Sequence, residues 1–403
     1  MQPFSNGMHK SMIKILGKPL LCHTIEKLKE KNVTDIIIVV GKDKIIESYF
    51  GDGKKFGVSI TYVLQEEPLG AGNALLLAKN YLKEDFLLLN AYHVEIDKFV
   101  ESISSAKNGQ IDGVLLVKQR ENPWDYGVIK AENNRVGGIV EKPPKGKEPS
   151  KLCVVGVYLL SPKFIATLER TNQEHYQLET ALNEFAKNNN LSFVETGEET
   201  VVLKYPWDLL AVKNYLLSAL KTQISQSAEI SESAKIIGEV KIEENAKVME
   251  HAVIKGPCYI GKGVLVGNNT ILRNGVDIEE NCVVGANVEI KNSLIMENSK
   301  THSGFLGDSV VGSNCRMGAG FCTANVRIDR ATVKATVKEQ KIDTGLKSLG
   351  VMIGNNSRIG IKASTMPGVI IGENVFVGPS TTVLHNIPNG VKYFTKFAEL
   401  VQK

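Results

Sequence analysis

Aromatic residues are scarce in this sequence, and neither sign of charge is in excess. Phenylalanine, tryptophan and tyrosine make up 6% of 403 residues, and 48 Lys and Arg stand against 44 Asp and Glu, for a formal net charge of +4. This balance excludes a protein that coats a polyanion and predicts no nucleic-acid partner. No apolar stretch approaches the roughly 20 residues that cross a bilayer, and the start, MQPFSNGMHK, lacks the apolar middle of a secretory signal. We therefore expect a cytoplasmic protein without a membrane partner.

Cysteine is also sparse, and its spacing excludes the common zinc sites. The six cysteines form no Cys-x-x-Cys pair and have no histidine at zinc-ligand spacing; they are Cys22, Cys153, Cys258, Cys282, Cys315 and Cys322. We predict reduced, mostly buried thiols. With 43% hydrophobic and 23% charged residues, the chain is an ordinary globular one, long enough for two domains, and disorder and a collagen-like class are excluded.

The first half, to about Gln223, alternates apolar runs of strand length with helical patterns, as a parallel sheet with crossover helices requires. The patterns predict helices over 19–31 and 207–220, and strands over 35–41, 85–90, 113–117, 126–130 and 154–160. This half is therefore predicted to be α/β.

After Thr222 a stricter period replaces the helical one. Aliphatic residues recur every sixth position without a miss, at Ile224, Ile230, Ile236, Ile242, Val248, Ile254, Ile260, Val266, Leu272, Ile278, Val284 and Ile290. The period returns at Ile353, Ile359, Ile371, Val377 and Val383, with Thr365 as the one polar member. Such a hexad repeat predicts a parallel β-helix in which three six-residue sides make one coil and the aliphatic residues point inward.

Residues 329–350 break this period and are rich in lysine, so we predict a loop that leaves the β-helix. Spacing alone does not set the hand of the coil, although the general crossover rule favours a right-handed one. Cys258 and Cys282 lie two residues before an inward aliphatic, where small side chains recur, which predicts that both are core residues.

Several motifs carry a resemblance to a known family. In the first half they are HKSMIKILGKPLL (9–21), QEEPLGAGNAL (65–75), LLLNAYHVEID (87–97), the YGVI and EKP segments within 126–143, and PWDLL (206–210). In the second half they are the hexads, HSGFLGDSVVG (302–312), GAGFCTANVRID (318–329) and GVMIGNNSRIGIKASTMPGVIIG (350–372). Over essentially its whole length the chain resembles the bifunctional sugar-1-phosphate nucleotidylyltransferase/amino-sugar-1-phosphate N-acetyltransferases, particularly the archaeal-like form.

The resemblance implies the domain organisation. It predicts a Rossmann-like nucleotidyltransferase domain over 1–223 with its first strand missing, a left-handed parallel β-helix of hexapeptide repeats over 224–394, and a C-terminal tail over 395–403. It also implies a homotrimer, because the acyl-transfer sites of such enzymes lie between neighbouring prisms. The implied role is nucleotide-sugar biosynthesis.

The first domain would join a nucleoside triphosphate to a sugar 1-phosphate and release diphosphate. Because both substrates are anions, such a site needs a glycine-rich turn, cationic side chains and carboxylates that hold Mg²⁺. Matched to the family's motifs, the base-reading positions are Gln65 and Gly70, the phosphate-contacting lysine is Lys10, the sugar-holding positions are Gly127 and Glu141, the lysine of the EKP motif is Lys142, and one metal ligand is Asp208.

Two departures from the family weaken the case for nucleotidyl transfer. The Gly-x-Gly-x-Arg loop that cradles the triphosphate is missing, and so is the central strand before it, which predicts unpaired backbone groups and a gap in the core. The other metal-binding aspartate falls at Tyr92, and a phenol is a poor Mg²⁺ ligand at neutral pH. His93, Glu95 and Asp97 are the nearby candidates for its replacement. We predict that nucleotidyl transfer is impaired and that Mg²⁺ is required only if it survives.

The second domain would transfer an acetyl group from acetyl-CoA to an amino sugar, which requires a base for the amine proton and donors for the oxyanion. The resemblance assigns the base to His302, the orientation of the substrate to Asn325 and a contact with the acceptor to Lys334. Phe305 replaces the usual tyrosine and Ala331 another usual lysine, so we expect activity that is weakened and not abolished.

Each of these residues could also have a purely structural role instead of a functional one. Lys10 and Lys142 also fit solvated surface charges, Asp208 fits the first turn of a helix, where the dipole favours it, and a lone histidine such as His302 is often structural. Lys338, Lys341 and Lys347 fit either phosphate binding or a solvated loop.

Two other functions stay open beside the leading one. One is an active sugar-1-phosphate nucleotidylyltransferase whose start is misassigned, and the other is a catalytically idle subunit that binds nucleotide sugar and regulates an active paralogue.

Overall fold

Two compact units make up this computed structural model, which describes residues 1–4, 9–174 and 176–398. One unit is Leu20–Val201, and the other combines Met1–Pro19 with Val202–Lys403. This division differs from the predicted boundary at 223/224, because the start of the chain and the segment after Val201 pack with the solenoid. The predicted tail over 395–403 lies in part outside the described residues, which end at 398.

The described part of the chain contains seven α-helices: α1 Leu20–Glu30, α2 Ile45–Phe50, α3 Ala71–Leu77, α4 Val100–Ala106, α5 Lys163–Arg170, α6 Gln177–Asn188 and α7 Asp208–Ser218. Short 3-10 turns occupy Lys10–Met12, Lys54–Phe56, Lys79–Tyr81, Ile96–Lys98 and Pro123–Asp125. The helices predicted over 19–31 and 207–220 are confirmed as α1 and α7. α1 forms because Leu21, Ile25 and Leu28 fall on one face and are all buried. Within the residues described, no helix has the length and apolarity to cross a membrane.

Ten strands precede the solenoid: β1 Lys14–Ile15, β2 Lys18–Pro19, β3 Asp35–Val40, β4 Ser59–Leu64, β5 Phe86–Leu89, β6 Gly113–Gln119, β7 Gly127–Glu132, β8 Arg135–Glu141, β9 Leu152–Leu160 and β10 Leu191–Glu195. All five predicted strands are present, as β3, β5, β6, β7 and β9.

The main sheet of the Leu20–Val201 unit has the order β5-β9-β6-β10-β8-β7. The predicted parallel sheet is wrong in part, because β9 runs antiparallel to both β5 and β6, whereas β10 is parallel to β6. A continuous apolar run such as that of β9 is typical of a strand buried on both faces in either direction, so the sequence did not reveal its orientation.

A break separates this sheet from a second, two-stranded one. β3 pairs in parallel with β4, and in the described chain it has no other partner, while β5 pairs only with β9. Ile36 of β3 and Leu87 of β5 nevertheless border one apolar cluster built around Phe99 and Val157. In the described residues β3 and β5 are therefore not hydrogen-bonded to each other, whereas the predicted gap in the core is not seen at this cluster.

The solenoid contains the remaining strands: β11 Gln223–Ile224, β12 Glu229–Ile230, β13 Lys235–Ile237, β14 Val240–Ile242, β15 Lys247–Val248, β16 Val253–Lys255, β17 Cys258–Ile260, β18 Leu265–Val266, β19 Ile271–Arg273, β20 Val276–Ile278, β21 Val283–Val284, β22 Val288–Lys291, β23 Leu294–Ile295, β24 Lys300–Thr301, β25 Gly304–Gly307, β26 Val310–Val311, β27 Arg316–Met317, β28 Phe321–Thr323, β29 Lys334–Val337, β30 Gln340–Asp343, β31 Met352–Ile353, β32 Arg358–Ile359, β33 Ser364–Thr365, β34 Ile370–Ile371, β35 Phe376–Val377, β36 Thr382–Val383 and β37 Lys392–Tyr393.

All of these strands except β29 and β30 stack into three parallel sheets, one for each side of the coil. The sheets run β11-β14-β17-β20-β23-β26-β31-β34, β12-β15-β18-β21-β24-β27-β32-β35-β37 and β13-β16-β19-β22-β25-β28-β33-β36. The hexad aliphatics from Ile242 onward line one continuous core, where Ile254, Ile278 and Ile290 are 0% exposed. The predicted parallel β-helix of hexapeptide repeats is confirmed.

Shorter coils interrupt this regular stacking before the predicted excursion, and again at the C-terminal end, where Lys392 pairs with Phe376. Regular coils repeat after 18 residues, as between Glu229 and Lys247, whereas Ser309 stacks on Ser293 after 16. The predicted excursion over 329–350 is an antiparallel hairpin, in which β29 pairs with β30. The shortened coils before the excursion and the hairpin are therefore neighbours in the chain and both depart from the repeat.

The chain start is anchored on the solenoid by two buried carboxylates. The backbone N–H of Leu16 donates to Asp277 Oδ2 at 2.9 Å, and that of Gly17 donates to Glu279 Oε1 at 2.9 Å. Lys213 of α7, which is 0% exposed, donates to the carbonyl of Gly275 and to Asn292 Oδ1. These bonds explain why Met1–Pro19 and α7 belong to the solenoid unit.

Candidate functional site

His302 lies at a corner of the solenoid where the shortened coils begin. It falls between β24 and β25, its side chain is exposed, and its backbone N–H donates to the carbonyl of Met317 at 3.0 Å. Its own carbonyl lies against Gly285, where a Cβ would overlap the oxygen. The backbone of His302 is therefore fixed on both sides while its imidazole faces outward.

Asn325 lies shortly after β28, two residues beyond its end and just before the excursion. Its Nδ2 donates to Asp308 Oδ2 at 2.6 Å, and its backbone carbonyl accepts from the N–H of Leu349 at 2.8 Å, where the chain returns from the hairpin. The orientation of the half-buried amide is thus set by a carboxylate.

Asp308 is a site residue that the sequence analysis missed. Its side chain is 3% exposed, and it accepts from Lys291 Nζ at 2.7 Å, from Asn292 Nδ2 at 2.8 Å and from Asn325 Nδ2. Its backbone has a positive φ of 49°. Most other positive-φ corners of the solenoid carry asparagine, whereas this corner carries an aspartate. This exception in the repeat could have indicated Asp308 from the sequence.

Phe305 packs beside the same amide. A Cβ at Gly307 would lie 2.6 Å from Phe305 Cζ and 2.9 Å from Asn325 Nδ2, so the ring, the glycine and the amide are neighbours. Phe305 also pairs in register with Cys322 of β28. The structure therefore brings Phe305, Asp308 and Asn325 together, with His302 three residues before Phe305 in the same coil.

Lys334 lies on the hairpin and not on the solenoid itself. It opens β29, pairs in register with Asp343 and is exposed. The base of the hairpin is fixed, since Val333 and Ala335 are 1% and 0% exposed. The position of Lys334 is thus set by the excursion.

In the Leu20–Val201 unit, the residues predicted to hold the base and the sugar contact one another in pairs. Gln65 Nε2 donates to the carbonyl of Gly70 at 3.2 Å, in the loop between β4 and α3. Gly127 and Glu141 are register partners in β7 and β8, and a Cβ at Gly127 would lie 2.8 Å from Glu141 Oε2. Lys142 follows with a positive φ of 44°, and its Nζ lies 3.4 Å from Glu141 Oε1.

Lys10 and Asp208 belong to the other unit. Lys10 Nζ donates to the carbonyl of Leu203 at 3.1 Å, and burial lowers the pKa of Lys10 although nearby Asp208 opposes that shift. Asp208 opens α7, and its Oδ2 accepts from the N–H groups of Lys204 at 2.7 Å and Tyr205 at 2.6 Å. Burial raises the pKa of Asp208 against these two hydrogen bonds.

The residues present do not fit a Mg²⁺ site. Asp208 already uses one carboxylate oxygen on backbone amides, and its partner position holds the phenol of Tyr92. His93 and Glu95 are 1% and 0% exposed and bind each other at 3.1 Å, so they belong to the core and do not replace the missing ligand. Among the described residues no cluster of three or more His, Cys, Asp or Glu could hold a metal ion.

The prediction that the thiols are mostly buried is confirmed. All six are free, and only Cys322 is exposed. Burial raises the pKa of Cys258 and Cys282, in the solenoid core, and of Cys315, to about 11 in the last case. These three thiols are therefore poor nucleophiles and act as small core side chains.

Comparison with known proteins covers both units. The family model for nucleotidyl transferase matches residues 1–208, a GMPPB C-terminal domain matches 254–344, and the bacterial transferase hexapeptide (six repeats) matches 350–385. The bifunctional protein GlmU of Methanococcus maripaludis is 36% identical over 95% of this chain and 91% of its own length. A bifunctional sugar-1-phosphate nucleotidylyltransferase/acetyltransferase of Sulfurisphaera tokodaii is 32% identical over 97% of this chain and 96% of its own. Among solved structures, a putative glucose-1-phosphate thymidylyltransferase from Bacillus anthracis aligns with a TM-score of 0.49 and 23% identity, over 55% of this chain and 92% of that one.

Proposed function

Since the chain belongs to the family of bifunctional sugar-1-phosphate nucleotidylyltransferase/acetyltransferases, we propose that its working activity is acetyl transfer from acetyl-CoA to the amine of an amino-sugar 1-phosphate. The observation that carries the proposal is the corner at which an outward-facing His302 precedes a fixed Phe305–Asp308–Asn325 cluster. This corner is also where the repeat shortens from 18 to 16 residues and the hairpin leaves the solenoid.

His302 acts as the general base in this proposal. The neutral amine of the sugar attacks the thioester carbonyl of acetyl-CoA, an N–C bond forms, and the amine proton passes to the imidazole. The tetrahedral intermediate then collapses with cleavage of the C–S bond, and the proton leaves with the thiolate as the free thiol of CoA. An exposed imidazole on a fixed backbone suits this role, because it reaches bound substrate without rearrangement of the coil.

Asn325 and Lys334 orient the acceptor. The Nδ2 of Asn325 is occupied by Asp308, so its Oδ1 is the atom that accepts an N–H of the substrate amine. Lys334, exposed at the start of β29, supplies a positive charge for the sugar phosphate. Phe305 cannot donate the hydrogen bond of a tyrosine, so the rate is lower than that of a tyrosine-containing relative.

Nucleotidyl transfer is impaired in this proposal. The base and sugar positions Gln65, Gly70, Gly127 and Glu141 keep their mutual contacts, which supports retained binding of a nucleoside triphosphate, a nucleotide sugar or a sugar 1-phosphate. The phenol of Tyr92 is a poor ligand for Mg²⁺, the ion that would neutralise the phosphates, and one oxygen of Asp208 is occupied by backbone N–H groups. Diphosphate release from nucleoside triphosphates and glucose 1-phosphate tests this part, and turnover within tenfold of an intact relative would refute it.

The active species is proposed to be a homotrimer in the cytoplasm. The solenoid carries exposed apolar side chains toward its far end, including Phe376 at 48% and Phe394 at 59%, which supports burial between copies of the chain. Light scattering of the purified chain gives the mass of the particle. A monomer at micromolar concentration would contradict the trimer.

The acetyl-transfer proposal is tested by thiol release from acetyl-CoA with a panel of amino-sugar phosphates. The unsubstituted chain is compared with His302→Ala and with the control His385→Ala, which also removes an exposed histidine of the solenoid. We expect His302→Ala to lose about 10²-fold or more in rate and His385→Ala to change little. A rate that is indifferent to His302→Ala would remove the proposed base, and no release with any acceptor would remove the proposed activity.

A further inference from the structure

One corner of the solenoid carries a ladder of residues in the left-handed backbone region. Asn274, Asn292 and Asp308 occupy it in successive coils, with φ values of 61°, 44° and 49°. Asparagine is the residue that best tolerates this conformation after glycine. Among the described non-glycine residues with positive φ, Asp308 is the only aspartate. The turn alone does not account for a carboxylate at this position.

The donors around Asp308 account for it. Oδ2 accepts from Lys291 Nζ at 2.7 Å and from Asn325 Nδ2 at 2.6 Å, and Oδ1 accepts from Asn292 Nδ2 at 2.8 Å. These donors give charge-assisted bonds to a carboxylate that is only 3% exposed. Asn292 is itself fixed, because its Oδ1 accepts from Lys213 Nζ and Asn214 Nδ2, both at 3.1 Å.

This arrangement removes the ambiguity of the Asn325 amide. An amide can present either its oxygen or its NH₂ group, and the two differ by a half-turn about one bond. An ionised carboxylate only accepts, so the half-turn would bring Oδ1 of Asn325 against Oδ2 of Asp308. Nδ2 is therefore held inward. In the described part of the chain no group donates to Oδ1 of Asn325, which is left as an acceptor.

We propose that Asp308 is a positioning residue for acetyl transfer: it holds the amide of Asn325 with its oxygen toward the acceptor, so that this oxygen binds an N–H of the attacking amine. The inference rests on the proposed function. Asp308 itself touches no substrate and acts through Asn325.

Asp308→Asn is the variant that isolates this role. Asparagine suits the backbone at this corner and has the same shape as aspartate, but its side chain can donate as well as accept. Asn325 is then free to take either orientation. We expect kcat with an amino-sugar 1-phosphate to fall about tenfold while the KM for acetyl-CoA stays within twofold of the unsubstituted value.

A double-mutant cycle separates positioning from general support of the coil. If Asp308 acts through Asn325, Asp308→Asn changes kcat less than twofold in an Asn325→Ala chain. An equal loss of kcat in both backgrounds, or no loss in either, would overturn the proposal. Ser299→Ala is the matched control, because Ser299 is buried in the solenoid and its hydroxyl bonds the backbone of the next coil, at Gly312 and Cys315. It should leave kcat unchanged.

Two further measurements apply if the unsubstituted chain is inactive or if Asp308→Asn does not fold. If the unsubstituted chain acetylates no amino sugar, the proposed function fails, and high-resolution crystal structures of the unsubstituted and Asp308→Asn chains still decide the positioning claim. The claim predicts one Asn325 orientation in the first and two or a reversed one in the second, whereas the same orientation in both would overturn it. If Asp308→Asn does not fold, Asn325→Asp serves instead. Two facing carboxylates must share a proton, so its activity should be highest at acidic pH and fall as the pH rises, and an unchanged pH profile would count against the contact.

Discussion

Substituting Asp277 tests the buried carboxylates that anchor the chain start to the solenoid. Asp277 is 0% exposed, its Oδ2 accepts from Leu16, and its Oδ1 has no hydrogen-bond partner among the described residues. Burial raises the pKa of Asp277 to about 7, against the Leu16 hydrogen bond and the charge of Lys213, and burial also raises the pKa of Glu279. In an unfolded chain the pKa of an aspartate is about 4.

The sign of the pH dependence follows from these values. Between about pH 4 and pH 7 the folded chain keeps a proton on Asp277 that the unfolded chain has released, so stability increases as the pH falls through this window. One such proton contributes a slope of at most about 1.4 kcal/mol for each pH unit. Lys213, whose pKa burial lowers to about 8, adds a slope of opposite sign, but only above that pH.

Urea unfolding of the unsubstituted chain and of Asp277→Asn, at intervals from pH 5 to pH 8, measures this contribution. As the pH falls from 7 to 5, the free energy of unfolding of the unsubstituted chain should rise relative to that of Asp277→Asn, by about 2 kcal/mol in total. Glu280→Gln is the control, since Glu280 lies beside the cluster, is 40% exposed and binds Lys14 at the surface. Parallel stability profiles for the unsubstituted and Asp277→Asn chains would refute the reasoning.

Three further predictions concern the solenoid and its corner. Gly285→Ala should lower acetyl transfer at least tenfold by displacing the carbonyl of His302, with Gly197→Ala, which meets nothing within 4 Å, as the control; equal kcat for both would contradict the fixed corner. Phe305→Tyr should raise kcat by up to about fivefold by restoring one hydrogen bond, and a fall in kcat would show that the ring's apolar packing is what the site needs. Ile278→Ala, at a residue 0% exposed in the core, should lower the free energy of unfolding by about 2 to 5 kcal/mol, and a loss below about 1 kcal/mol would contradict the inward packing of the hexads.

The solenoid was predictable because its core residues recur at every sixth position of the sequence. Each inward aliphatic stacks on the one a coil earlier, so the spacing that marks the repeat is the same spacing that packs it. The first members fit less well: Ile224 is 43% exposed and Ile230 is half-buried, because no earlier coil covers them. The period therefore predicts which side chains point inward, but it does not predict which of them are covered by an adjacent coil.

Other features depend on contacts between distant parts of the chain and were not visible in the sequence. The placement of Met1–Pro19 with the solenoid follows from two backbone N–H groups that bind Asp277 and Glu279, about 260 residues away along the chain. The direction of β9 depends on which strands it meets. His302 and Asn325 came from the family resemblance, whereas Asp308 emerged only when its three donors were seen together.

The most direct test of the account asks whether His302 takes the proton. Thiol release by the His302→Ala chain is measured with a saturating amino-sugar 1-phosphate and acetyl-CoA, with and without added imidazole. The account predicts a loss of about 10²-fold or more, part of which returns in proportion to the imidazole concentration. A rate close to that of the unsubstituted chain, or a lost rate that imidazole does not restore, would contradict it.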